Sequence, residues 1–454
     1  MNPDDYDQLH RIINPSYASR EHPGADDWRS GLQWSRILAP YLQGALTYHG
    51  DYTSNQVQQH VQFFVHHVAP WLGLGPEHDS ASTNAPIGLY RPRYKSSMTN
   101  DYTPFELSCC WRNHDQRGKP IVRYVVDIAP AFPGSYRSTS FENGLKAIET
   151  LRVIALDING IDVFPDLWTH ITSTIMHYEL DLHQSSCPIC SPSTTFVGFD
   201  LVGSHTKVKF YWLLPSCQTT SKILAMLDHV FHSSSAINTV FASPAFVDAW
   251  RMVRDYIASY PDTLRPRMLS VDATRHPFPR VKFYTRCVLS ASTDFDAFES
   301  HLSLGGKVTL PEHFISTCRD LWRSLIASPR GADSDKPAYC LLFYEIGAAT
   351  ANEAIGLSSK LYIMCGEIPR RDSFIARQLL DHCRILDGAP LLQAFADHAD
   401  PTAFVAEIGL APRKDNTEVA VYLNPSCFSS HSWADGEDAD GLFRRIRNLV
   451  STTS

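Results

Sequence analysis

Three segments of this chain end alike. Lys209-Phe210-Tyr211, Lys282-Phe283-Tyr284 and Lys360-Leu361-Tyr362 each fall in the second of two strand-like stretches, at intervals of roughly 70 residues. The unit occurs five times, as 105–112 with 121–128, 195–202 with 207–214, 267–272 with 281–289, 338–345 with 360–365, and 404–410 with 418–424. The fifth pair keeps the tyrosine as Tyr422, and the first carries Arg123. Amphipathic stretches separate the pairs at 141–154, 221–231, 244–260, 311–326 and 372–383. Ahead of them, 27–47 and 54–72 have helical spacing, the second opening on a Ser54 cap with Val57, Val61, Phe64, Val65 and Val68 in one stripe. Ten antiparallel strands leave open edges unless the sheet closes on itself. The pattern therefore predicts an α+β fold, a ten-stranded antiparallel β-barrel surrounded by a ring of α-helices; an open sandwich is the alternative. Low complexity is confined to 185–195, 233–235 and 451–454, too short for an interdomain linker. One domain over 1–454 is expected, with the repeats within about 27–425.

Side chains two apart on a strand share a face. Lys207, Lys209 and Tyr211 thus line one face, with Val208, Phe210 and Trp212 opposite. Arg280, Lys282 and Tyr284 repeat the arrangement, and Lys360 and Tyr362 do so again. The apolar face belongs against the helices, so the cationic face points into the barrel. Cations ~6.6 Å apart repel by roughly 2.5 kcal/mol at an effective dielectric near 20, which makes sense if a polyanion sits among them. Tyrosines one step beyond suggest something apolar or cationic attached to that anion, and a prenyl diphosphate meets both demands. The opposite sign is expected once, at Glu106, which shares a face with Ser108 and Cys110. Within a cationic lumen its carboxylate should stay ionised and accept a hydrogen bond from a substrate N–H or O–H. The plainer alternatives are lysines solvated at the surface and a structural Glu106–Arg123 pair.

Composition narrows the class of function. The 454 residues carry 40 Lys+Arg against 48 Asp+Glu, a net charge of -8, which argues against a general nucleic-acid binder. The start, 1–11, has no basic region followed by an apolar run, and no stretch approaches ~20 uncharged apolar residues. A soluble, cytoplasmic protein without a membrane partner is expected, as monomer or homodimer. Eleven scattered cysteines read as reduced thiols, and Cys187-Pro-Ile-Cys190 is a lone CxxC without a second pair. His177, His183, His229 and His232 lie in helix-like segments without a carboxylate at metal-ligand spacing. No Asp-Asp-x-x-Asp cluster, phosphate-binding P-loop or dinucleotide fingerprint occurs.

The helical region from Trp28 to Pro76, Thr103-Pro-Phe-Glu-Leu-Ser108, Val122-Arg123-Tyr124, Phe199-Asp200-Leu201 and the Lys-x-Tyr strands together resemble the dimethylallyltryptophan synthase (DMATS) family of fungal aromatic prenyltransferases. The resemblance implies the PT barrel, built from αββα repeats, and metal-independent transfer of a dimethylallyl group from dimethylallyl diphosphate to an aromatic ring, an indole first and a phenolic or polyketide-derived ring as the alternative. A non-catalytic barrel binding an anionic isoprenoid lipid is the reading outside enzymes. The diphosphate would be held by Arg123, Lys209, Arg280, Lys282, Lys360 and Arg413. Tyr211, Tyr284, Tyr362 and Tyr422 match the family's carbocation shield, with Glu418 where a fifth tyrosine often lies. Met98, Glu106 and Arg267 fall to the acceptor, Arg267 for a carboxylate or other polar tail. No cofactor is implied. Phe196 stands where tryptophan C4-prenylating members carry a lysine base, and Lys360 replaces a glutamine of some members, so the base that takes the ring proton is not named by the sequence.

Overall fold

The computed structural model describes residues 25–48, 51–78, 90–111, 120–129, 137–158, 160–182, 190, 192–232, 241–273, 279–289, 294–326, 339–347, 356–368, 371–383, 405–425 and 427–428. Ten long strands form one closed ring: β1 Phe105–Trp111, β2 Ile121–Asp127, β3 Thr195–Val202, β4 His205–Leu213, β5 Leu264–Asp272, β6 Val281–Val288, β7 Tyr339–Gly347, β8 Gly356–Met364, β9 Val405–Pro412 and β10 Thr417–Leu423. Each strand pairs antiparallel with the next along the chain, and β10 pairs with β1 to close the barrel, Tyr422 opposite Ser108. A two-residue strand, Ile161–Asp162, adds in parallel to β4. The closed ring, not the open sandwich, is what the chain forms.

Alternation along the strands explains the closure. On β4, Val208, Phe210 and Trp212 are fully buried on the outer face. Trp168 stacks on Phe210 at 5.6 Å, and the Trp212 indole donates to Thr172 Oγ1 at 2.8 Å. Both partners sit on α4, Pro165–Leu182, one of the helices α1 Ala25–Tyr48, α2 Ser54–Phe63, α3 Arg137–Asp157, α4, α5 Thr220–His232, α6 Pro244–Ala258, α7 Phe295–Leu302, α8 Glu312–Leu321 and α9 Asp372–His382. Tyr124 on β2 stacks between Phe105 of β1 at 5.6 Å and Phe199 of β3 at 4.8 Å, an outer-face ladder across three neighbouring strands. The hydrophobic effect thus covers the outside of the ring and leaves the polar set facing in.

Several local expectations are corrected. The 54–72 stretch is not one α-helix: after α2 it tightens through a π turn, Phe64–Val68, into a 3-10 turn, Ala69–Leu72, where Pro70 has no N–H to offer. The cap of α2 is Thr53 rather than Ser54; its hydroxyl accepts from the Gln56 amide, and the Gln56 side chain accepts from the Thr53 amide. The 311–326 stretch likewise ends in a π turn, Trp322–Ile326. Helix α7 was not in the sequence reading, because eight residues show little more than two turns of periodicity. Among the described residues, no helix is long and apolar enough to cross a membrane. Cys187, His183, 233–235 and 451–454 lie outside the described residues, while Cys190 is a buried free thiol.

Candidate active site

A strand advances about 6.6 Å for every residue that returns to the same face, so the inner face of the barrel is built in storeys. One storey is charged. Lys209 on β4, Arg280 and Lys282 at the start of β6, Lys360 on β8, Arg413 after β9 and Arg123 on β2 meet there. They do not face one another unscreened. Lys209 Nζ donates to both carboxylate oxygens of Asp200 at 2.6 Å, and Arg123 Nε lies 3.4 Å from the same group. Asp272 receives both Arg280 and Lys282. Glu345 receives Lys360 at 3.1 Å, with Arg280 at 3.7 Å. Glu418 receives Arg413 and stands 3.8 Å from Arg123.

The expectation of a single acidic residue in the lumen is therefore wrong. Asp200, Asp272, Glu345 and Glu418 alternate with the cations and relieve the repulsion that the lysine spacing alone implies. Their positions follow the alternation already visible on each strand: Lys209 is opposite Asp272 across β4–β5, and Lys282 is opposite Glu345 across β6–β7. Glu418 is accordingly an ion-pair partner in the place assigned to a fifth shielding aromatic. Lys207 shares the face but is exposed. Burial is the largest influence on Lys209 and, with Lys282 and Arg123 close by, brings its ammonium down to about 7 against the pull of Asp200. Glu345 goes the other way; its burial is outweighed by Lys360, Arg280 and Lys282, which hold it at about 2.

The next storey is aromatic. Tyr211 and Tyr284 lie 6.3 Å apart between ring centres, Tyr284 and Tyr362 6.1 Å, and Tyr362 and Tyr422 5.6 Å, the last pair joining hydroxyls at 3.2 Å. Phe343 on β7 fills the gap, 4.8 Å from Tyr284 and 5.5 Å from Tyr362, with Lys360 Nζ 4.8 Å from its ring centre. Sequence reading missed Phe343, although it is two residues from Glu345 on one strand and opposite both Tyr284 and Lys360. Glycines make room for the rings: a Cβ at Gly198 would stand 3.0 Å from Tyr211, and one at Gly409 would stand 3.0 Å from Tyr362 and 3.4 Å from Tyr422. A cavity of ≈ 660 Å³, counted out to its mouth, is lined by every one of these cations and tyrosines.

The third storey holds carboxylates again. Glu106 on β1 is buried, and Glu407 on β9 is opposite Tyr422, whose other neighbour across the closing seam is Ser108. Arg123 pairs with Asp200 and Glu418, so the Glu106–Arg123 pair is not formed. Nor does Glu106 stay readily ionised as expected. Burial and the neighbouring charge of Glu407 push its carboxyl well above the usual range, because the cations are a storey away. Burial also raises Glu407 to about 7, opposed by Arg267. Arg267 is the extra residue of a β-bulge between Pro266 and Met268 on β5, which turns it out of the strand's alternation. Phe196 is opposite Asp127, a buried carboxylate that receives Ser96 at 2.7 Å and Ser193 at 2.5 Å while its other oxygen has no partner among the described residues. Met98 lies in the segment ahead of β1, half-buried, its amide donating to Ser96 Oγ at 3.1 Å. The cavity of cations and tyrosines is lined by none of Met98, Glu106, Arg267 and Glu407, so the expected acceptor residues lie beyond it. Among the described residues, no group of three His, Cys, Asp or Glu side chains is placed to hold a metal.

A lumen that gathers cations at one level, rings of tyrosine at the next and carboxylates beyond is built to handle an anionic leaving group, a cation and a polar acceptor in series. That is the layout of an aromatic prenyltransferase. Residues 31–397 match the family model described as tryptophan dimethylallyltransferase, and the chain belongs to that family, the DMATS-type prenyltransferases. It is 24% identical over 379 residues to 4-O-dimethylallyl-L-tyrosine synthase of Claviceps purpurea, covering 80% of this chain and 78% of that one. It is 25% identical to xanthone prenyltransferase B of Emericella nidulans, over 66% of this chain and 59% of the relative. It is 22% identical to 7-dimethylallyltryptophan synthase of Aspergillus fumigatus, over 64% and 61%. The solved structure of AnaPT from Neosartorya fischeri superposes with a TM-score of 0.62 at 19% identity, covering 88% of this chain and 94% of that one. NotF in complex with brevianamide F and DMSPP also gives 0.62, at 18% identity and 90% and 97% coverage.

Proposed function

We propose that this protein transfers the dimethylallyl group of dimethylallyl diphosphate to an aromatic ring carrying an N–H or O–H, without a divalent metal, in the biosynthesis of a secondary metabolite such as an alkaloid. The observation that carries this reading is the stacking order of charge, aromatic belt and carboxylate along one lumen. Arg123, Lys209, Arg280, Lys282, Lys360 and Arg413 receive the diphosphate and stabilise it as it departs, the part a metal ion plays elsewhere. Lys209, poised near 7, takes full charge beside the incoming anion. The C–O bond breaks with its electron pair on the diphosphate. Tyr211, Tyr284, Tyr362, Tyr422 and Phe343 then present ring faces to the allylic cation and keep water from it. Glu106 accepts a hydrogen bond from the acceptor N–H or O–H, which enriches the ring in electrons, and Arg267 meets polar groups of the acceptor beyond the ring. An indole, tryptophan or a derivative, is the ring that the family resemblance brings with it; the second carboxylate, Glu407, favours a phenol.

The purified protein with dimethylallyl diphosphate, indolic and phenolic acceptors and excess EDTA provides the test. A prenylated arene is expected, with its substituted position fixed by NMR. Glu106→Gln keeps the shape but replaces the carboxyl by an amide that can neither ionise nor take up a proton, so kcat should fall about 10- to 150-fold while diphosphate binding persists. Complete inactivation by EDTA that magnesium reverses would overturn metal independence, and no product from any arene would overturn the function.

A further inference from the structure

Glu407 is assigned by neither the repeat nor the family resemblance, yet it stands beside Tyr422, at the edge of the aromatic belt from which Glu106 is one strand further on. Stepping along β9, Gly409 faces the Tyr362 and Tyr422 rings, and Glu407, two residues earlier, faces the same way. Its cross-strand neighbours are Tyr422 and Met364, and Glu106 lies one strand beyond Tyr422. The groups that feel the two carboxylates are Arg267 toward Glu407, Tyr422 toward both, Tyr41 of α1 toward Glu106, and Cys365 after β8 toward Glu407. Arg267 alone among these carries a full positive charge. Its charge already answers Glu407, so a carboxylate arriving with the acceptor would have to compete with Glu407 for it, in a part of the barrel that already holds two carboxylates.

We propose that Glu407 is a second acceptor-side residue and that Glu106 and Glu407 together select a neutral hydroxylated arene over an arene with a free carboxylate. This rests on the prenyl-transfer reading above. One ionised and one protonated carboxyl offer an acceptor and a donor side by side, which matches a phenolic O–H next to a carbonyl or second hydroxyl oxygen. The pair also fills the gap that Phe196 leaves, since a phenyl ring takes no proton. A π pair of the arene forms the new C–C bond to the allylic carbon. The displaced ring proton passes to the ionised carboxylate, so the pair ends the turnover with two protons and the diphosphate keeps the electron pair of the broken C–O bond.

The full-length protein and dimethylallyl diphosphate are tested with 2,4-dihydroxyacetophenone, 2,4-dihydroxybenzoate and L-tryptophan. The first two share one hydroxylation pattern and differ in charge. Wild type should prefer the ketone over the benzoate by about tenfold or more in kcat/KM. Glu407→Gln should lower kcat on the ketone about 10- to 100-fold and narrow that preference, with the KM for dimethylallyl diphosphate unchanged. It should also remove the alkaline limb that the pair's second ionisation gives kcat/KM, because only one ionisable carboxyl is left, and Glu407→Asp should restore the limb. Should Glu407→Gln fail to fold, the wild-type preference decides alone. A variant with wild-type kcat, preference and alkaline limb, or a wild type that favours the benzoate or L-tryptophan, overturns the inference while leaving prenyl transfer standing. Absence of product from all three, with other arenes prenylated, overturns the inference alone; absence from every arene removes both.

Discussion

At the scale of single residues, charge state is decided by neighbours and not by residue type. Glu345 and Glu106 are both glutamates of one lumen, the first half-buried and the second buried, yet cations hold the first at about 2 while burial and Glu407 drive the second upward. Asp127 shows the same rule at the barrel's end. Burial raises it from 3.8 to about 7 although Ser96 and Ser193 donate to it. Between those two pH values the folded chain binds a proton that the unfolded chain has lost, so this group makes stability fall as pH rises through the window. Asp127→Asn removes that slope. Denaturant unfolding should show the variant gaining on wild type between pH 4 and pH 8 by a few kcal/mol, on the order of 4. A stability difference that stays constant over that range would mean that Asp127 is ionised in the fold.

At the scale of elements, alternation made the collar and most of the belt legible. Period-two spacing put Lys209 and Tyr211 on one face and Phe210 on the other, and the structure keeps that division, with Phe210 packed on Trp168. What alternation does not report is the bulge that re-aims Arg267, or the π turns that end two helical stretches, since each inserts an extra residue without a composition signal. Glycine positions on the strands are informative in the opposite way. Gly409 holds no side chain because the rings of Tyr362 and Tyr422 lie across it. Gly409→Val should displace both rings while β9 keeps its pairing. Water then reaches the allylic cation, so the fraction of dimethylallyl alcohol formed per prenyl diphosphate consumed should rise several-fold. An unchanged alcohol fraction with a folded variant would show that this part of the belt does not exclude water.

At the scale of the whole molecule, the ring is a single cooperative object, because the charged storey draws its members from β2, β3, β4, β5, β6, β7, β8, β9 and β10 and their close surroundings. Inorganic pyrophosphate should therefore slow amide hydrogen exchange on hairpins all around the barrel and raise Tm in the same titration. Protection confined to one hairpin would place the anion outside the lumen. The repeat, the inward lysines and tyrosines, and the position of Glu106 are properties of local spacing, and the sequence alone determines them, since a strand's faces are set by the backbone's own period. The carboxylate partners of the collar, the protonation of Glu106, and the meeting of Glu407 with Arg267 were decided only by the tertiary structure. Arg267 and Glu407 are 140 residues apart in the chain and come together because β10 closes on β1. Ring closure brings distant strands face to face across a low-dielectric lumen, and in such a place the energy of a charge depends on what stands opposite it, which no local pattern records.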